Sequence, residues 1–167
     1  MMKTIFNFTF VAVLACLILA GCTKTAETSA TAEAETATAV NEPLKTTLAA
    51  YFQLKDALVN DDAAQAKEKA TALADATGSY GDQLNEYALA IGETDDIEAQ
   101  REAFEALSIA LYDLAKEGGA GITVYKQYCP MAFDDKGAFW LSNEKQVLNP
   151  YFGASMLRCG MVQEEIN

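Results

Sequence analysis

Two cysteines and three methionines stand within 33 residues near the C-terminal end of the chain, from Cys129 to Met161. Cys129-Pro130-Met131 sets two sulfurs two residues apart, and Met156-x-x-Cys159 is expected to set two more on one face of a helical turn, with Met161 beyond. Thiolate and thioether are soft donors suited to Cu(I) or Ag(I), and a linear or trigonal Cu(I) site needs only two or three of them. Cys129, Met131, Met156 and Cys159 are therefore the candidate metal ligands, and Cu(I) is the candidate ion. Zinc fits less well, because two thiolates would have to be completed by carboxylates such as Asp134 or Asp135. A structural chemistry competes for the same residues. In an oxidising compartment two cysteines most simply form a disulfide, and a Cys129-Cys159 bridge would close 31 residues. On the chain-entropy argument that staple stabilises by roughly 3.5 to 4 kcal/mol. The methionines would then be gap-filling core side chains.

Other chemistries are narrowed by what the chain lacks. It has no histidine, which removes Ser-His-Asp and Cys-His nucleophile systems and His-ligated zinc, and leaves a free thiol without its usual base. The carboxylate pairs Asp61-Asp62 and Asp134-Asp135 stand in turn contexts, so no enzyme is indicated. With 12 basic and 24 acidic residues the formal net charge is -12, which repels nucleic acid and anionic surfaces. Asp95, Asp96, Glu98, Glu102 and Glu105 read as a solvated helix face without calcium-loop spacing.

The N-terminal residues supply an address. Lys3 precedes the apolar run Ile5 to Ala20, which has the length of a signal-peptide core rather than a membrane span, and Leu19-Ala20-Gly21-Cys22 has the order of a bacterial lipobox. Residues 1–21 are thus expected to be a lipoprotein signal peptide and Cys22 the lipidated first residue of the mature protein, anchored to the membrane without crossing it. Sixteen of the twenty residues from Thr23 to Glu42 are Ala, Thr or Glu; residues 22–42 therefore read as a disordered tether. No Asp follows Cys22, which points to the periplasm-facing side of the outer membrane in a bacterial cell envelope.

A single folded domain is expected over 43–167. In its first half, 43–117, Leu44, Leu48, Tyr51, Leu54 and Leu58 recur at helical spacing, and Asn60-Asp61-Asp62 supplies a stop and an N-cap. An Ala-rich helix over Ala63 to Ala76 follows, then a shorter one from Leu84 to Ile91. The last opens with an Asp95/Glu98 capping box and carries Ile97, Phe104, Leu107, Leu111 and Leu114 as far as Gly118-Gly119. These are the parts of a mainly α, antiparallel three- or four-helix bundle. In the second half, 118–167, the helical period ends, and seven of the sixteen aromatic residues fall between Tyr125 and Phe152. This segment is expected to be irregular and aromatic-rich, with Ile122 to Tyr128 and Ala138 to Leu141 forming a small β-hairpin around the turn Asp134 to Gly137. Trp140, Tyr151 and Phe152 read as core in preference to an aromatic wall beside the sulfurs. Arg101 is expected to anchor the C-terminal segment through a carboxylate or carbonyl contact.

The run Tyr128-Cys129-Pro130-Met131-Ala132, then Gly137-Ala138-x-Trp140-Leu141-Ser142, then Asn149-Pro150-Tyr151-Phe152-Gly153-x-x-Met156-Leu157-x-Cys159-Gly160 resembles the uncharacterised family called domain of unknown function 3347. Gln100-Arg101-x-x-Phe104-x-x-Leu107-Ser108 resembles it too, so the likeness spans about Pro43 to Ile166. Such domains occur as periplasmic lipoproteins and appended to adaptor subunits of heavy-metal efflux systems. The resemblance therefore implies a role with copper or silver and efflux components as partners. The Cys129-Pro130-Met131 and Cys159-Gly160 elements are similar to the short metal-binding segments of those adaptors, except that Ala132 stands where they have His, and Met161 matches no family position.

Overall fold

A computed structural model describes residues 40–167. The signal segment, Cys22 and the stretch up to residue 39 lie outside the described residues. Four helices come first: α1 over Glu42–Val59, α2 over Ala63–Ala76, α3 over Asp82–Gly92 and α4 over Ile97–Gly118. Each packs on its sequence neighbour, and α1 also meets α4, which closes the set into the expected bundle. No helix among the described residues is long and apolar enough to cross a membrane.

Local chemistry sets the helix ends. Asn41 caps α1 by accepting from the Leu44 amide, Pro43 sits in the first turn, and Asp62 caps α2 through the Gln65 amide. The capping box expected from Asp95 and Glu98 does not form; the helix starts one residue later, on a simple N-cap. Asp96 accepts from the Glu98 amide, while Asp95 pairs with Lys67 on α2 and the Glu98 carboxylate turns to Arg101. At the far end of α4, Gly119 takes a left-handed conformation (φ 57°) and stops the helix. Helix α2 is lean because close approach requires it: Ala66, Ala70, Leu73 and Ala74 are its buried residues.

Beyond α4 the chain builds a three-stranded antiparallel sheet. Strand β1 covers Val124–Cys129, β2 Ala138–Ser142 and β3 Met161–Ile166, in the order β2-β1-β3. The hairpin β1-β2 is the expected one, in the register Gln127 to Trp140 and Cys129 to Ala138. Strand β3 has no counterpart in the sequence pattern: its alternation of half-exposed and exposed residues ends in one buried side chain, Ile166, so it carries little apolar signal.

Aromatic side chains join the sheet to the bundle. Tyr51 of α1 stacks on Phe104 of α4 with ring centroids 4.9 Å apart, and Phe104 meets Tyr151 edge-on at 6.0 Å. Tyr151 in turn meets Trp140 at 5.9 Å and Phe133 at 5.1 Å. Trp140 and Tyr151 are therefore core, whereas Phe152 is half-buried. The Tyr51 hydroxyl bonds Ser108 at 2.6 Å and accepts from the backbone N–H of Leu141 at 3.1 Å, so one side chain ties α1, α4 and β2. Burial pushes the Tyr51 phenol far above its ordinary acidity range, and it stays neutral.

Candidate functional site

The two cysteines meet because β1 and β3 run side by side. Tyr128 pairs with Met161 at the end of that ladder, so the residue after Tyr128 and the residues just before Met161 converge. Cys129 Sγ lies 2.8 Å from Cys159 Sγ. Cys129 is fully buried and Cys159 is partly exposed. Two residues hold the approach. Gly160, at φ 138°, lets the chain pass where a Cβ would stand 2.8 Å from the Tyr128 carbonyl and 3.1 Å from the Trp140 ring. Asn149, fully buried, donates through Nδ2 to the Cys159 carbonyl at 2.8 Å and accepts from the Tyr151 amide with Oδ1.

Both thiols are free, and their separation bears on the chemistry they can do. A disulfide needs about 2.05 Å between sulfurs. A metal bonded to both at about 2.3 Å would part them by about 3.8 Å at a tetrahedral angle and about 4.6 Å in a line. At 2.8 Å the pair stands nearer to covalent closure than to holding an ion between its sulfurs. The hydrogen bond with Cys129, and then burial, push the Cys159 thiol up to about 11, so in the reduced state it is protonated at neutral pH. No cluster of three or more His, Cys, Asp or Glu poised for a metal occurs among the described residues.

The methionines go elsewhere. Met156 sits on a bend after a single 3-10 turn over Gly153–Ser155, and Cys159 follows the turn at Leu157-Arg158, so the two do not share a face of a helix. Met131 and Met156 line a cavity of about 620 Å³ beside α4, and neither cysteine is among its lining residues. Met161, 56% exposed, begins β3. The structure therefore brings Cys129 and Cys159 together, places Met131 and Met156 on a second feature, and leaves Met161 on the surface.

That cavity was not visible in the sequence. One wall is α4, through Glu98, Arg101 and Glu102; the other is made by the segments Met131–Asp135 and Tyr151–Met156. Phe133, Asp134 and Asp135 are three consecutive non-glycine residues in the left-handed region, at φ 52°, 56° and 63°. Such a run costs about 1 to 2 kcal/mol per residue, and the buried contacts on either side must hold it. Phe133 packed on Tyr151 and the Gly137 amide bonded to the Ala132 carbonyl at 2.9 Å are two of those contacts.

Arg101 anchors the C-terminal segment as its position suggested. Its Nε donates to the Pro150 carbonyl at 2.9 Å, Nη1 to Glu98 at 2.7 Å and Nη2 to Asp61 at 2.6 Å. Asp61 in turn accepts from the Ala154 amide at 2.9 Å. That amide and the Arg101 guanidinium hold its carboxyl below the usual range. Local sequence marks Asp61 only as a helix stop and a turn carboxylate, because its partners lie 40 and 93 residues away.

Comparison with known proteins adds one likeness. The family described as "Protein of unknown function (DUF3347)" matches residues 47–123, just under half of the chain. The match covers nearly all of the helical bundle and stops before β1, so the Cys-Pro-Met and Cys-Gly elements lie outside it. No curated protein and no solved structure matches the chain.

Proposed function

We propose that the chain is an envelope lipoprotein, anchored through Cys22, whose folded domain is a binding module closed by a Cys129-Cys159 disulfide. The observation that carries this reading is the 2.8 Å separation of the two sulfurs at the end of the β1-β3 ladder. The backbone already delivers the sulfurs, so closure needs less than an ångström of further approach. Oxidation removes a proton from each thiol and two electrons from the pair, which the thiol-oxidising machinery of an oxidising compartment accepts. The cross-link would fix the segment 130–158, which carries most of the cavity wall and the strained Phe133–Asp135 turn.

A second reading has its own support. Two soft sulfurs meet, one of them reachable from solvent. In the reduced protein the Cys129 and Cys159 thiolates would take Cu(I) as a two-sulfur cargo site after parting their side chains, with heavy-metal efflux components as partners and without Met131 or Met156, which line the separate cavity.

One experiment separates the two. Protein taken from cells into acid and alkylated without reductant should show Cys129 and Cys159 unmodified and a mass two hydrogens below the dithiol. The same mass measurement reads the lipid on Cys22. Free thiols, together with reduced protein that competes with a chromogenic chelator for Cu(I), would replace the staple with the cargo site.

A further inference from the structure

We infer that the cavity between α4 and the Cys129–Cys159 segment is a binding site for a small organic ammonium ion with an apolar body. This deepens the proposed reading of the domain as a stapled module, because nine of the cavity's twelve lining residues lie between the two cysteines. Its volume of about 620 Å³ falls in the range of small-molecule sites.

The charge comes from accounting for each ionised lining group. Arg101 is the only cation on the wall, and its nitrogens are committed to Glu98, Asp61 and the Pro150 carbonyl. Glu102, Asp134 and Asp135 have no ion-pair partner among the described residues. On that wall an anionic ligand would meet three exposed carboxylates without ion-pair partners and no free cation. An ammonium ion finds the reverse.

The remaining lining gives the ligand its second half. Phe133 and Phe152 are half-buried, and Met131 and Met156 supply polarizable thioethers. Aromatic faces attract a cation and cover an alkyl or aryl stem equally well, while thioethers adapt to its shape. A hydrated inorganic cation would use the carboxylates and waste these four side chains. The site therefore recognises charge at its rim and apolar surface in its wall.

The test is calorimetric titration of the full chain with phenethylammonium, with 3-phenylpropionate and phenethyl alcohol as anionic and neutral matches of similar shape. Phenethylammonium should bind once per chain, and both controls at least about tenfold more weakly, a difference of about 1.4 kcal/mol. Glu102→Gln with Asp134→Asn should weaken the ammonium by about tenfold or more without changing the affinity for the alcohol. Phe152→Leu, which keeps apolar bulk and removes the ring, should weaken it less. Equal binding of phenylpropionate, or no heat from phenethylammonium at millimolar concentration in protein that melts cooperatively, overturns the inference. Thiol titration of the same sample keeps the two proposals apart. Ammonium binding by protein with free thiols supports the cavity and refutes the staple; a closed disulfide with no binding refutes the cavity alone.

Discussion

Arg101 on α4 and Asp61 just past the end of α1 meet at 2.6 Å, and Asp61 passes the contact on to the Ala154 amide with its other carboxylate oxygen. A guanidinium is what this position requires. Nε, Nη1 and Nη2 each face a different acceptor, on the loop after β2, on α4 and beside α1. A lysine has the charge but only one nitrogen. Arg101→Lys should therefore lower stability by about 2 to 3 kcal/mol, less than a fully buried broken pair because Asp61 is partly exposed. Urea denaturation measures it. A loss below about 0.5 kcal/mol would mean that solvent serves these acceptors equally well.

The same carboxylate gives an acid dependence whose sign follows from its environment. The Ala154 amide first, and then Arg101, lower the Asp61 pKa below its ordinary value of 3.8. A depressed carboxylate stabilises fully above its unfolded value and loses that contribution as pH falls through the folded one. Stability should be flat in this group at neutral pH and decline below about pH 4. In Asp61→Asn that part of the acid slope should disappear. An unchanged slope would assign the acid limb to other groups, such as Glu164, which Lys116 and Tyr112 also depress.

Gly153 is the residue against which Asp61 rests. At φ 54° it has the left-handed conformation, and a Cβ there would stand 1.9 Å from Asp61 Oδ1. Gly153→Ala must bear the backbone strain and displace the carboxylate from the Ala154 amide. The combined cost should be about 2 kcal/mol or more, read from thermal or urea melts. A neutral substitution would show that the loop has room that this packing denies.

The helical half was legible because its information is local. The stripe from Leu44 to Leu58 and the Asn60-Asp61-Asp62 stop specify α1 with no help from the rest of the chain, and α2 has the expected Ala63–Ala76 limits. Strand β3 has no such signature, since it is an edge strand with one buried residue. The sulfur cluster was legible as composition but not as geometry. Turn residues decide whether sulfurs near in sequence also face the same way, and the three left-handed residues Phe133 to Asp135 and the bend at Met156 send Met131 and Met156 to the cavity. The cavity itself is made by α4 meeting two loops about thirty to fifty residues downstream, a relationship with no trace in any short window.

Tyr51→Phe tests how firmly the sheet is tied to the bundle. Tyr51 is fully buried, and its oxygen is the acceptor for the Leu141 amide as well as the partner of Ser108. Removing it leaves a buried N–H without that acceptor while the ring packing on Phe104 stays. The loss should be about 1 to 3 kcal/mol, and amide exchange at Leu141 should rise more than exchange within α2. Uniform acceleration across both would mean that the bond stabilises the whole domain without any local role.

The thiol pair gives the last test, and Cys159 is the residue to change, because serine there stays partly exposed whereas serine at Cys129 would bury a hydroxyl. In air-oxidised protein Cys159→Ser should cost about 3 to 4 kcal/mol, the cross-link acting mainly by restricting the unfolded chain. In reductant the wild type should fall to nearly the same stability as the mutant, since only a contact between two thiols is then lost. The reduced wild type carries a second signature. The Cys159 thiol is pushed up to about 11, first by its bond with Cys129 and then by burial, so alkylation should be slow at pH 8 and rise about tenfold per pH unit toward that value. Cys129→Ala removes the larger of those two causes, and Cys159 should then react faster at the same pH. Equal melting of wild type with and without reductant, together with fast alkylation at neutral pH, would mean that the two sulfurs neither close nor constrain each other.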